Sequence, residues 1–83
     1  KLHVDIDMDV CDRSVVPACP AAAPGGISAD ELRQFAFLVG KSIQVVSADI
    51  AEIDTLADSA DGRTVRLGAL TVLELANGFA ARK

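Results

Sequence analysis

Asp5, Asp7 and Asp9 stand at alternate positions in the run His3-Val4-Asp5-Ile6-Asp7-Met8-Asp9-Val10. A strand sends alternate side chains to opposite faces. As a strand, this run gathers His3, Asp5, Asp7 and Asp9 on one face and Leu2, Val4, Ile6, Met8 and Val10 on the other. Neighbours on one face sit roughly 6–7 Å apart, from about 3.3 Å of rise per residue. Carboxylates that close repel, and burying them costs several kcal/mol per ion unless a cation sits among them. A divalent metal meets that need. A solvated acidic face on an edge strand is the other reading of the stripe alone. His3 is the single histidine of the chain, and a lone strand histidine reads as structural.

The elements that must position these residues follow a β-α-β-α order. The first strand runs from about Leu2 to Met8, so Asp7 and Asp9 fall at its carboxyl end, where open α/β sheets gather ligands. A long segment from Asp9 to Ile27 follows. It holds all three prolines, Pro17, Pro20 and Pro24, and Gly25-Gly26. Long segments of this kind are usually functional, and this one would wrap the mouth of a site. Ser28-Ala29-Asp30-Glu31 spells a capping box, and Leu32, Phe35, Ala36 and Val39 follow at helical spacing with Leu38 beside them. Gly40 reads as the helix stop. A second strand spans Ile43 to Ile50. A second helix runs from Arg63-Thr64 to about Ala81, with Val65, Ala69, Val72, Leu73, Ala76 and Phe79 on one face. Leu67, Leu70 and Leu75 widen that face, so the helix reads as largely buried. Strand-helix-strand in this order implies a parallel sheet with a right-handed crossover.

The chain has 83 residues, 51% of them hydrophobic and only 4% aromatic. Chains this short bury only about 60–65% of their unfolded surface and are marginal alone. The Ala- and Val-rich composition suits interior elements of a larger α/β protein. No initiator Met is present, and a strand pattern begins at once. The expectation is therefore a carboxyl-terminal piece of a longer protein. Net charge is −4, from eight Lys and Arg against twelve Asp and Glu. With no basic patch and no interleaved aromatics, nothing marks a nucleic-acid partner. No apolar run approaches the length of a membrane span, and no signal peptide is visible. The spacing of Cys11 and Cys19 fits no zinc or redox motif, so both read as free thiols in a reducing compartment, with a disulfide bridging the loop as the minor alternative.

The run Asp7-Met8-Asp9-Val10-Cys11-Asp12-Arg13-Ser14-Val15-Val16-Pro17, followed by Pro24-Gly25-Gly26-Ile27-Ser28, resembles the carboxyl-terminal metal motif of the ureohydrolases, the family of arginase, agmatinase and formimidoylglutamase. Its pattern is a strand ending Asp-x-Asp-x-x-Asp-Pro, then a turn, then Pro-x-x-Gly-Gly before a helix. The resemblance implies that Asp7 bridges two Mn²⁺ ions and Asp9 binds one of them. Asp12 would shape the loop, and Asp5 receives no role. Arg13 stands where the family usually has Pro, Ala18 where Gly is usual, and Ala21-Ala22 where Thr-Pro is common.

Asp49-Ile50-Ala51-Glu52-Ile53 resembles a second family segment, Asp-hydrophobic-x-Glu-hydrophobic-Asn-Pro, whose Glu pairs with the substrate amidinium. Glu52 matches it, while Asp54-Thr55 replaces Asn-Pro. A carboxylate and a planar amidinium can share two parallel hydrogen bonds. Read without the family, Glu52 is an exposed residue at a strand end. Asp61-Gly62-Arg63-Thr64-Val65-Arg66 resembles the formimidoylglutamase branch, and also reads as a helix start capped by Asp61.

The resemblance implies an α/β fold, this chain forming the βαβα carboxyl-terminal part (residues 1–83) of a single three-layer αβα, parallel-sheet ureohydrolase domain. It implies hydrolysis of a C–N bond in a small amidine or guanidine substrate, with two Mn²⁺ per complete site activating water. Formimidoylglutamate hydrolysis to glutamate and formamide is the first reading; the arginase and agmatinase branches are the alternatives. A cytoplasmic homo-oligomer is expected, with no nucleic-acid or membrane partner. The family's other metal ligands and its catalytic His come from motifs absent here, so no catalytic residue is assigned and the isolated chain is expected to be inactive. Two other classes start similarly. A haloacid-dehalogenase-type phosphotransferase shares Asp-x-Asp after a strand but lacks its Gly-Thr continuation here. An EF-hand-like module fails at Val10, where Gly is required, and at Val16, where Glu is.

Overall fold

Alternation in β1 (Leu2–Asp7) turns Ile6 into the interior and leaves His3, Asp5 and Asp7 outside. The computed structural model describes residues 1–82. After β1 come α1 (Ala29–Lys41), β2 (Val45–Ala51) and α2 (Arg63–Ala80), with single 3-10 turns at Met8–Val10 and Thr55–Ala57. β1 and β2 pair in parallel, as the βαβ order requires. The paired residues run from Leu2 opposite Val45 to Asp7 opposite Ala51, and an irregularity between Leu2 and His3 skips Val46.

Several boundaries differ from the sequence reading. β1 ends at Asp7, and the chain tightens into the Met8–Val10 turn, closed by the Cys11 amide on the Met8 carbonyl at 3.1 Å. Alternation breaks there. Met8 stays fully buried, Val10 is exposed, and Asp9 is half-buried on the turn instead of joining the acidic face of the strand. β2 starts at Val45, because a turn returning the Val45 amide to Ser42 holds Ile43 and Gln44 off the strand.

Ser28 and Glu31 form the expected capping box, each side chain accepting from the other's amide. Gly40 does not stop α1; the helix continues to Lys41 and is closed by Ser42. Gly40 and Gly78 instead lie where α1 crosses α2. A Cβ on Gly40 would strike the Leu75 carbonyl, and one on Gly78 would strike the Phe37 carbonyl and the Lys41 amide. Only residues without side chains allow backbones this close. Arg82 then caps the crossing, donating to the Gly40 and Val45 carbonyls at 2.8 Å each.

This crossing turns the expected face of α2 outward, except for Leu67 and Leu75 of its widened part, which meet the core. Thr64, Leu67, Gly68, Thr71 and Gly78 point inward, while Val65, Val72, Leu73 and Phe79 are exposed. The inner threonines are satisfied: Thr71 donates to the Leu67 carbonyl at 2.8 Å. On α1, Leu32, Ala36 and Val39 are buried as expected, but Phe35 and Leu38 are exposed. The core joins Ile6, Met8, Cys11, Val16, Cys19 and Leu32, with Leu67 closing it from α2. Among the described residues, no helix is long and apolar enough to cross a membrane.

Candidate metal and substrate site

Parallel pairing brings the carboxyl ends of both strands to one edge. Asp7 closes β1 opposite Ala51, so Glu52, the next residue, begins the chain leaving β2 beside the acidic end of β1. Asp7 enters the 3-10 turn in an extended conformation, and its carboxylate takes no capping hydrogen bond. That carboxylate is exposed, and Asp9 follows on the turn. Asp7 also borders an open cleft of about 530 Å³ between β1 and α1, lined by Ile6, Val10, Ile27, Leu32 and Phe35.

Glu52 is the one non-glycine residue with positive φ, at 74°, among the described residues. A side chain in this left-handed region costs of order 1–2 kcal/mol, and such strain gathers at functional sites. The turn after Glu52 is held on both sides. The Asp54 amide donates to the Ala18 carbonyl at 2.8 Å, and the Asp54 carboxylate accepts from the Leu56 amide at 3.1 Å.

The segment between the strand and α1 is closed at its neck. The Ile27 amide donates to the Val10 carbonyl at 3.0 Å, and the Asp12 amide to the Ile27 carbonyl at 2.9 Å. Gly26 passes so close to Asp12 that any Cβ there would overlap its amide, a requirement of the Gly-Gly motif. The Asp12 carboxylate accepts from the hydroxyl and amide of Ser14 and from the Gly25 amide. These bonds, the Ser14 hydroxyl first, bring its carboxyl down to about 2. Inside the loop, burial pushes the Cys11 thiol up to about 11. Cys19 is raised by burial and then by the charges of Asp9, Glu52 and Asp58. Both cysteines are free.

The start of α2 is built differently from the sequence reading. Gly62 occupies the cap position in a left-handed conformation and offers no side chain. Asp58 reaches in from outside, accepting from the Thr64 and Val65 amides at 3.2 and 3.0 Å. Asp61 takes the Arg63 amide alone among these backbone groups; it pairs with the Arg63 guanidinium and accepts from the Ser59 hydroxyl, and these contacts, Arg63 first, hold its carboxyl well below the usual range. Thr64, fully buried, accepts from the Ala18 amide at 3.1 Å.

One cluster escaped the sequence reading. Asp5 lies directly opposite Asp49, an unfavourable pairing of like charges. The His3 ring relieves it: Nε2 is 3.0 Å from Asp5 Oδ1 and from Asp49 Oδ2, and Nδ1 is 2.6 Å from Ser47 Oγ. These contacts, Asp49 first, raise the His3 pKa and lower that of Asp49. The stripe hinted at His3 and Asp5, but the partner depends on the skipped Val46, which no local pattern reveals.

The arginase family model matches residues 1–77. The formimidoylglutamase of Halalkalibacterium halodurans is 38% identical over 77 residues, covering 93% of this chain and 24% of that protein. The arginase of Agrobacterium fabrum is 32% identical over 83 residues, again covering 24% of the relative. The crystal structure of Bacillus subtilis formimidoylglutamase superposes with a TM-score of 0.90 at 34% identity, over 96% of this chain and 25% of that one. A crystal structure of Trypanosoma cruzi formiminoglutamase with Mn2+2 gives 0.90 at 28% identity, over 98% and 27%. The chain therefore spans about a quarter of the length of the relatives it matches. Over that quarter its parallel strands and two helices share their fold. With its Asp-x-Asp strand end, its neck closed on Gly25-Gly26 and this breadth of likeness, the chain belongs to the arginase family.

Proposed function

We propose that this chain forms the carboxyl-terminal part of a single ureohydrolase domain that hydrolyses a small amidine, with formimidoylglutamate as the first substrate and arginine and agmatine as the alternatives. The observation that carries the reading is the register of the parallel pair: Asp7 closes β1 opposite Ala51, with Asp9 on the turn that follows and Glu52 next after Ala51. The names of the relatives favour the formimidoylglutamase branch.

Asp7 and Asp9 would hold manganese. The donor set fits: hard carboxylate oxygens suit Mn²⁺, and the Asp7 carboxylate is not committed to capping the turn. When bound, the metal pair supplies a water acidic enough to ionise near neutral pH. Glu52 binds the substrate. Its carboxylate accepts two parallel hydrogen bonds from the amidinium, which fixes the plane of the carbon under attack. Backbone strain at Glu52 is consistent with a side chain aimed by its surroundings. Asp12 shapes the loop and touches no substrate. The remaining ligands and the catalytic groups belong to the rest of the domain, so this stretch alone carries no hydrolysis. We further propose a cytoplasmic location, in line with the free cysteines, and a homo-oligomeric complete protein.

The test is an assay of the complete protein, loaded with manganese, against formimidoylglutamate, arginine and agmatine. Release of formamide and glutamate from the first is expected. Turnover of none of the three overturns the reading.

A further inference from the structure

The Arg13 side chain is committed to main-chain carbonyls. Its Nη1 donates to the carbonyls of Cys19 and Pro20 at 3.2 Å each and leans on that of Ala22 at 3.4 Å. Its own amide donates to the Ala23 carbonyl at 3.2 Å. Carbonyl oxygens converging on one point repel unless a cation sits among them, and bonds from a charged donor exceed neutral ones. A proline in its place could make none of these bonds, lacking both the amide hydrogen and the charge. Arg13 therefore folds the Cys19–Ala23 segment back towards the end of β1.

That segment continues directly into the site. Ala18, the residue before it, donates to Thr64 Oγ1 and accepts from the Asp54 amide. Cys19, its first residue, is buried in the core cluster with Met8 and Cys11, the residues that follow β1. We propose that Arg13 is a positioning residue: it holds the Cys19–Ala23 loop at the mouth of the Asp7, Asp9 and Glu52 site and, through the Ala18–Asp54 hydrogen bond, steadies the turn that aims Glu52. This rests on the function proposed above. Arg13 touches neither the metal-binding pair nor the substrate-binding carboxylate, so its loss acts on substrate binding and leaves the metal in place.

The experiment compares wild type, Arg13→Ala and Arg13→Lys in the complete protein. It reads backbone amide exchange at Ala18, Ala22 and Asp54, manganese content, and KM and kcat on the amidine substrate. In Arg13→Ala, exchange at these amides and KM should each rise about tenfold, the scale of losing one charge-assisted hydrogen bond. Metal content should not change, and kcat should fall less than KM rises. Arg13→Lys, with a charge but no planar fork, should fall between the two. Should the alanine variant fail to fold, Arg13→Gln replaces it with the same expectations. Unchanged exchange at Ala22 and Asp54 overturns the proposal, as does faster exchange with an unchanged KM. Should wild type hydrolyse no amidine, the functional reading fails by itself, and the exchange rates alone decide whether Arg13 holds the loop.

Discussion

The amide of Asp54 donates to the carbonyl of Ala18 at 2.8 Å, tying the segment that leaves β2 to the loop that leaves β1. Pairing within the sheet ends with Asp7 and Ala51. Beyond that point this bond keeps the two chains in register, and Glu52 lies just before it in sequence. Ala18 is held from its other side by Thr64, so the loop, the Glu52 turn and the start of α2 meet at one residue. A small side chain suits that junction, and Ala18 is fully buried.

Glu52 carries a conformational cost that glycine would not. The Glu52→Gly variant of the complete protein should be more stable than Glu52→Ala by about 1 kcal/mol, because alanine keeps the strained Cβ. Both should lose activity by orders of magnitude, as should Glu52→Gln with its manganese retained. Denaturant unfolding and elemental analysis check this. Metal loss in Glu52→Gln would make Glu52 a ligand, and equal stability of the glycine and alanine variants would remove the strain.

Asp12 sets an acid limit on the loop. Its carboxyl falls from the usual 3.8 to about 2 on folding. A lowered folded-state pKa contributes stability that is present above pH 3.8 and is lost as pH falls through about 2. Asp12→Asn should therefore speed exchange of the Ser14 and Gly25 amides well above pH 3.8, with the difference from wild type closing towards pH 2. A difference that does not depend on pH would contradict the assignment.

Gly78 tests the helix crossing. Alanine is the better helix former by about 1 kcal/mol, so an open site would be stabilised by Gly78→Ala. Here the added Cβ meets the Phe37 carbonyl and the Lys41 amide, and overpacking of this kind costs about 1–3 kcal/mol. The clash outweighs the propensity, and the melting temperature of the complete protein should fall. A rise would mean that the helices separate more easily than their contact suggests.

What the sequence made legible was local or came from a spaced motif. The Ser28–Glu31 box needs only its own four-residue window, and it formed as read. The parallel pairing followed from element order. The inner face of α2 was not legible, because apolar residues surround that helix and periodicity cannot choose among them. Its glycines decided the matter by permitting backbone contact with α1. Asp58 was missed as the cap because it lies outside the helix-start motif and folds back onto it. The opposition of Asp5 and Asp49 depends on a skipped residue in β2, and the left-handed turn at Glu52 depends on bonds made by Asp54. The positions of Asp7, Asp9 and Glu52 came from the motif; their common edge came from the parallel sheet.

The central claim is that Asp7 and Asp9 hold manganese in the complete protein. Elemental analysis of the purified wild type, Asp7→Ala, Asp9→Ala and Asp12→Ala tests it most directly. Wild type should carry a manganese pair, as in the Trypanosoma cruzi relative with Mn2+2. Asp7→Ala should lose most of the metal and Asp9→Ala a large part, while Asp12→Ala keeps it. Equal manganese in Asp7→Ala and Asp12→Ala would contradict the account.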